Sequence, residues 1–178
     1  KDGDDPHILM QNADTALYQA KDSERNTYRF FDSAMNQAAI DRMQIESLLR
    51  RALEQEEFSI HYQPIVDLKS GNLVGAEALL RWNSPELGFV PPDRFIAIAE
   101  ETGLIVSIGE WVMRTACRDA RTWRTDGSRS IRVAVNVSSR QVMGEQFLVT
   151  VTDVLNETGL QANCLGLEIT EGLLMDDR

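Results

Sequence analysis

Hydrophobic and polar positions change their period several times along the chain, and the changes mark out its parts. The order Asp14-Thr15-Ala16-Leu17-Tyr18-Gln19-Ala20-Lys21 predicts a short amphipathic helix with Leu17 and Tyr18 inward. Thr27 to Phe31 predicts a strand that ends this first part. From Ser33 to Glu56, Met35, Ala39, Met43, Leu48, Leu49, Ala52 and Leu53 recur at three- and four-residue intervals among Arg, Gln and Glu, as one face of a long helix does. Ser33 is placed to be its N-cap, and neither Gly nor Pro interrupts it. Such a helix serves equally as a linker between two domains or as a helix packed on the next domain.

At Glu57 the period shortens to two. Phe58–Leu68 and Leu73–Trp82 read as strands joined across Lys69-Ser70-Gly71-Asn72, a turn that makes this pair antiparallel. A loop with Pro85, Gly88, Pro91 and Pro92 comes next, and Pro92 suits the first turn of a helix running to about Glu101. A second helix is predicted over about Ile105 to Thr125. Ile131–Val137 then reads as strand, Glu145–Thr158 as helix and Leu165–Thr170 as strand. Strands alternating with helices predict an α/β fold with a largely parallel sheet.

Alternation along these strands sorts their side chains onto two faces. In Leu73–Trp82, Val74, Ala76, Ala78 and Leu80 lie on one face, and Gly75, Glu77, Leu79 and Arg81 on the other. Val133, Val135 and Val137 oppose Ala134 and Asn136; Leu165, Leu167 and Ile169 oppose Gly166, Glu168 and Thr170. Bulky faces meeting helices, with small and sparsely polar faces lining a shared interior, is the arrangement of a (β/α) barrel, whose active site lies at the C-terminal ends of its strands. Glu77, Asn136 and Glu168 would then converge as an oxygen-only site, a donor set suited to Mg²⁺, Mn²⁺ or Ca²⁺ rather than zinc or copper. Arg81, four residues from Glu77 on the same face, is placed to hold a phosphate oxygen. The plainer alternative is that Glu77 and Arg81 pair with each other, and that Gln63 on the first strand satisfies a backbone group or faces water.

Composition narrows the choice. Of 178 residues, 43% are hydrophobic and 26% charged, which describes a globular domain and not a disordered chain. No stretch approaches the run of about 20 apolar residues that spans a bilayer. The acidic start, Lys1-Asp2-Gly3-Asp4-Asp5, has no secretory apolar core and no initiator Met, which suggests an interior piece of a longer chain. A net charge of −10 argues against DNA or RNA polymers, which are bound through clustered Lys and Arg. It would also repel an anionic substrate unless a cation or a local Arg reversed the field. Two cysteines, Cys117 and Cys164, and two histidines, His7 and His61, offer no paired metal-ligand spacing; unpaired thiols suit a cytoplasmic location.

The stretch Gly75-Ala76-Glu77-Ala78-Leu79-Leu80-Arg81-Trp82 resembles the signature of the EAL domain family, the cyclic di-GMP phosphodiesterases. Tyr62-Gln63-Pro64-Ile65-Val66 is similar to that family's first strand, and Pro92 through Ile105 to its first helix and the turn after it. Asn136-Val137-Ser138 and Leu167-Glu168-Ile169-Thr170-Glu171 are similar to two later strand ends, in order and spacing. Upstream, Ala13 to Lys21 with Arg25-Asn26-Thr27-Tyr28 resembles the C-terminal end of a GGDEF (diguanylate cyclase) domain, with Glu24 where that family usually has glycine.

These resemblances imply a domain plan: residues 1–32 a remnant of a GGDEF domain, 33–56 a linker helix, and 57–178 the N-terminal half of an EAL domain, an incomplete TIM-like barrel with an antiparallel first strand. They imply Glu77 as a catalytic metal ligand, Asn136 and Glu168 as further ligands, Arg81 on the ligand phosphate and Gln63 holding a guanine. Two divalent cations, Mg²⁺ or Mn²⁺, would activate water to open one phosphodiester of cyclic di-GMP, giving linear pGpG, and would supply the attraction that the chain's own charge lacks. The stretch from Glu57 to Arg178 is shorter than the roughly 200 residues of even a small barrel. The family's downstream Asp-Asp ligands, lysine and later glutamates have no counterpart in it. The expectation is therefore no hydrolysis by this chain alone, and an open sheet edge and one uncovered flank that lead to self-association, partial disorder or completion by another chain. A degenerate domain that binds cyclic di-GMP without cleaving it, and a scaffolding segment built on the 33–56 helix, are the other readings.

Overall fold

The structure, a computed structural model, describes residues 5–23, 27–123 and 131–169. Its internal contacts divide the chain into two units, residues 1–47 and 48–178, and each is described separately.

The first unit holds α1 (Pro6–Ser23) and the larger part of α2 (Ser33–Ala52). Helix α1 starts eight residues earlier than the sequence pattern suggests and buries Asn12, Ala16 and Ala20. Leu17 is exposed, contrary to expectation, and the Tyr18 side chain lies outside the described residues. The segment expected as a strand, Thr27 to Phe31, forms none: Tyr28 and Phe30 stand exposed and touch edge to face at 5.5 Å. Strand propensity alone does not form a strand where no partner offers a ladder. Ser33 is the first residue of α2 and not its cap; the preceding Asp32 takes that part, its Oδ1 accepting from Ala34 N at 3.2 Å. Helix α2 ends at Ala52, four residues short of the expected Glu56, and Ile40 and Met43 on its apolar stripe are exposed.

The second unit opens with the last turn of α2, where Leu48, Leu49 and Ala52 are buried. The chain turns sharply through Glu56, at φ 55°, a left-handed conformation uncommon outside glycine. Strand β1 (Phe58–Val66) and strand β2 (Leu73–Ser84) then pair antiparallel. Their turn forms as predicted: Gly71 supplies φ 70°, and Asp67 Oδ1 accepts from both N and Oγ of Ser70. A three-residue strand β3 (Gly88–Val90) folds back on the end of β2, a hairpin the sequence pattern presents only as a loop. Helices α3 (Pro92–Thr102) and α4 (Leu104–Ala120) lead to β4 (Arg132–Val137). The short α5 (Ser139–Val142), α6 (Phe147–Thr158) and β5 (Leu165–Ile169) complete the described fold.

The sheet order is β1-β2-β4-β5, with β3 paired to β2; β2, β4 and β5 run parallel. Mixed sheet, antiparallel first strand and outer helices make this the α/β fold of an incomplete TIM-like barrel. Ala76, Ala78 and Trp82 of β2 and Val133, Val135 and Val137 of β4 are buried with Phe95 and Ile98 of α3 and Ile108, Val112, Met113 and Ala116 of α4. Trp82, fully buried, meets Phe58 and Phe95 and donates from Nε1 to Glu57 Oε2 at 2.8 Å. On β5 the expected covering helix is absent among the described residues: Leu167 and Ile169 are exposed. No described helix is long and apolar enough to cross a membrane.

A tie between β1 and α4, and a buried thiol on α4, can be tested. Tyr62 donates from its hydroxyl to Asp119 Oδ2 at 2.6 Å and packs edge to face on Trp123. Tyr62→Phe should cost about 1 kcal/mol, seen as a lower urea midpoint with an unchanged slope. Cys117, buried on α4, has its thiol pushed up by burial from an ordinary 9.0 to about 11. The folded state thus holds that proton more tightly than the unfolded one, so its contribution is complete below pH 9.0 and is lost as pH rises toward about 11. Burial, and then the bond to Asp119, raise the Tyr62 hydroxyl too, so it adds a loss in the same direction at higher pH. Denaturation across this range should show falling stability, and Cys117→Ala should remove the part that begins near 9.0.

Candidate functional site

Strand register places the polar residues. Gln63 of β1 stands opposite Glu77 of β2, and Glu77 stands beside Ala134 of β4. Two residues further along β4, Asn136 stands beside Glu168 of β5. Directly paired residues point to the same side of a sheet, and so do residues two apart on one strand. Gln63, Glu77, Arg81, Asn136 and Glu168 therefore share the face away from the buried valines. The same register puts His61, opposite Leu79, on this face. Histidine spacing carries no signal for His61; its position two residues before Gln63 on the same strand does.

Asn136 Nδ2 donates to Glu77 Oε1 at 2.7 Å, across the gap between β2 and β4. The distance lies at the short end of the range for an N–H···O hydrogen bond. Arg81 does not pair with Glu77: its Nη1 donates to the carbonyl of the adjacent Leu80 at 2.9 Å, and the described residues contain no ion pair between the two. That leaves the guanidinium with further donors on the open face. Glu168, Gln63 and His61 are exposed.

Pairing of β2 with β4 runs from Gly75↔Arg132 to Ala78↔Val135 and stops there. Beyond this point the strands fork. A cavity of about 210 Å³ lies at the fork, walled by Leu80, Ile96, Ile105, Ile108, Val112 and Val137, with Arg81, Asn136 and Gln141 also lining it. Asn136 is thus the first β4 residue without a β2 partner.

Chemically the face offers two carboxylates and an amide, all hard oxygen donors, from three adjacent parallel strands. That set fits an oxygen-seeking divalent cation and does not fit zinc or copper. It is a partial set: among the described residues no three His, Cys, Asp or Glu side chains gather as a metal would need.

Comparison with known proteins shows the family. The family profile described as "EAL domain" matches residues 46–178. The chain is 44% identical over 176 residues to the bifunctional diguanylate cyclase/cyclic di-GMP phosphodiesterase MucR of Pseudomonas aeruginosa, covering 99% of this chain and 26% of that protein. It is 38% identical over 175 residues to the cyclic di-GMP phosphodiesterase PdeR of Escherichia coli, covering 98% of this chain and 25% of that protein. The chain therefore spans about a quarter of the length of these curated relatives. Among solved structures, the PaMucR phosphodiesterase in complex with c-di-GMP superposes with a TM-score of 0.70 at 42% identity, over 75% of this chain and 54% of that one. The EAL enzyme Bd1971 in its cAMP- and cyclic-di-GMP-bound form gives 0.71 at 30% identity, over 98% and 46%. With the profile matching most of its length, and with the Glu77–Asn136 pair at the fork of a parallel sheet, the chain belongs to the EAL domain family.

Proposed function

We propose that this chain contributes the first half of the active site of a cyclic di-GMP phosphodiesterase, which opens one phosphodiester to give linear pGpG. The observation that carries the reading is the 2.7 Å contact of Asn136 with Glu77, with Glu168 in register beside Asn136. Each residue has a defined part. Glu77, Asn136 and Glu168 would hold one of two divalent cations, Mg²⁺ or Mn²⁺. When bound, the cations supply Lewis-acid activation of water and neutralise charge on the phosphoryl group. Arg81, unpaired with Glu77, would donate to a phosphate oxygen, and Gln63 would hold a guanine edge. The relatives named for cyclic di-GMP and the structures solved with it support the choice of ligand. A cation also reconciles an anionic substrate with a chain of net charge −10.

In the same reading, residues 1–32 derive from a GGDEF domain and α2 (Ser33–Ala52) is the linker helix, in a protein of the cytoplasm. The exposed Leu167 and Ile169 support completion of the barrel by further polypeptide or by a second copy.

In the full-length protein that contains this chain, cyclic di-GMP with Mg²⁺ or Mn²⁺ should yield pGpG. Glu77→Ala, Asn136→Ala and Glu168→Ala should each lower kcat by roughly 100-fold or more, the scale of losing one preorganised electrostatic contact. The 178-residue chain alone should yield none at enzymatic rates. Wild-type turnover persisting in all three variants would overturn the assignment. A second variant probes the cation without turnover. Asn136→Asp sets a second carboxylate against Glu77, and like charges at that distance raise one carboxyl pKa. Its melting temperature should fall below wild type at neutral pH, recover as pH drops through the raised pKa, and recover at neutral pH when Mg²⁺ is added. Equal melting temperatures with and without Mg²⁺ would count against the shared site.

A further inference from the structure

Asn136 holds Glu77 from a position where β4 has lost β2 as a neighbour and stays paired with β5 alone, through Asn136↔Glu168 and Val137↔Ile169. The β2–β4 ladder stops at Val135, so on that side nothing in the sheet fixes the Asn136 backbone. Immediately after this strand the chain forms a compact knot. Ser138 caps the short α5: Gln141 N donates to Ser138 Oγ at 3.4 Å. Gln141 Oε1 in turn accepts from Ser138 N and from Ser138 Oγ, both at 3.1 Å. Both residues are buried. This is a reciprocal capping box on a helix of only four residues.

The knot is seated on α4 at one place. The Gln141 amide lies against Gly109, where an added Cβ would come within 2.0 Å of Nε2 and 2.7 Å of Cδ. Gly109 sits in the interior of α4, where glycine costs about 1 kcal/mol relative to alanine. The slot for Gln141 accounts for that cost. A second anchor lies one residue earlier: Arg140 Nη1 donates to the carbonyl oxygens of Glu100 at 2.6 Å and Glu101 at 3.1 Å, closing the end of α3.

We infer that Gln141 is a positioning residue for the reaction proposed above: seated in the Gly109 slot and bonded to Ser138, it fixes the end of β4 so that Asn136 is held on Glu77. Gln141 touches neither ligand nor reacting atoms in this arrangement; it acts through Ser138 and two peptide units on Asn136. The inference rests on the proposed function for its purpose, but its geometry concerns the chain without metal or nucleotide, and its test uses neither.

The test compares the full-length protein that contains this chain, without metal or nucleotide, with its Gln141→Leu, Gln141→Glu and Gly109→Ala/Gln141→Ala variants, tracking the Asn136 side-chain amide by ¹H–¹⁵N NMR and hydrogen exchange. Gln141→Leu keeps the bulk and removes the acceptor. The Asn136 amide resonances should move toward those of a free amide and exchange about tenfold faster, the scale of losing one hydrogen bond to a charged acceptor. Methyl resonances of Val133 and Ile108 should stay in place. Gln141→Glu keeps an accepting oxygen and should restore the wild-type Asn136 signals. The double variant fills the slot with a methyl group and keeps the fold, but lacks the acceptor, so its Asn136 amide should behave as in Gln141→Leu. Wild-type Asn136 signals in a folded Gln141→Leu or double variant would overturn the inference, as would Gln141→Glu failing to restore them. If instead Asn136 responds as expected while Asn136→Ala leaves turnover of the full-length protein intact, the positioning stands and the proposed function fails.

Discussion

Three parallel strands in fixed register are the constraint on which the site depends. Because Glu77 lies beside Ala134, and Asn136 beside Glu168, a carboxylate, an amide and a second carboxylate are carried to one face without any loop having to place them. A shift of one residue in any of these pairings would turn that strand's polar group into the buried layer of Val133, Val135 and Val137 and expose valine in its place. The same apolar packing that holds the sheet against α3 and α4 therefore enforces the polar geometry opposite. Stability and chemistry lie on two faces of one sheet.

The fork beyond Ala78↔Val135 modifies this picture. A continuous ladder would fix the Asn136 backbone on both sides; the fork leaves it paired with β5 alone. The chain compensates after the strand, where Ser138, Arg140 and Gln141 tie the turn to the ends and middle of α3 and α4. At the other side of the sheet, Tyr62 does similar work: its hydroxyl reaches Asp119 on the outer side while its neighbour Gln63 projects to the inner face.

Much of this was legible from the residues because alternation in a strand is a local property. Glu77, Asn136 and Glu168 could be assigned to one face from the apolar residues beside them, and the Lys69-Ser70-Gly71-Asn72 turn fixed the direction of β1. What escaped depended on partners distant in sequence. Thr27 to Phe31 has strand-like residues but no ladder to join, and Phe89 belongs to a strand only because β2 extends past Trp82 to receive it. The apolar run of Leu167 and Ile169 correctly marked a strand, and the shortness of the stretch from Glu57 already implied an uncovered flank; among the described residues both side chains are exposed. Gly109, a glycine in the middle of a helical pattern, was a visible signal of close approach; that Gln141 is what approaches required the fold.

The central claim is the proposal that Glu77, bonded to Asn136, and Glu168, in register beside it, serve one cation. Mn²⁺ affinity of the full-length protein, measured for Glu77→Ala, Glu168→Ala and the double variant, tests this directly. Ligands of a single ion are coupled, so the account predicts that the double variant loses far less affinity than the two single losses combined. Losses that simply add would show two carboxylates acting independently, and would contradict it.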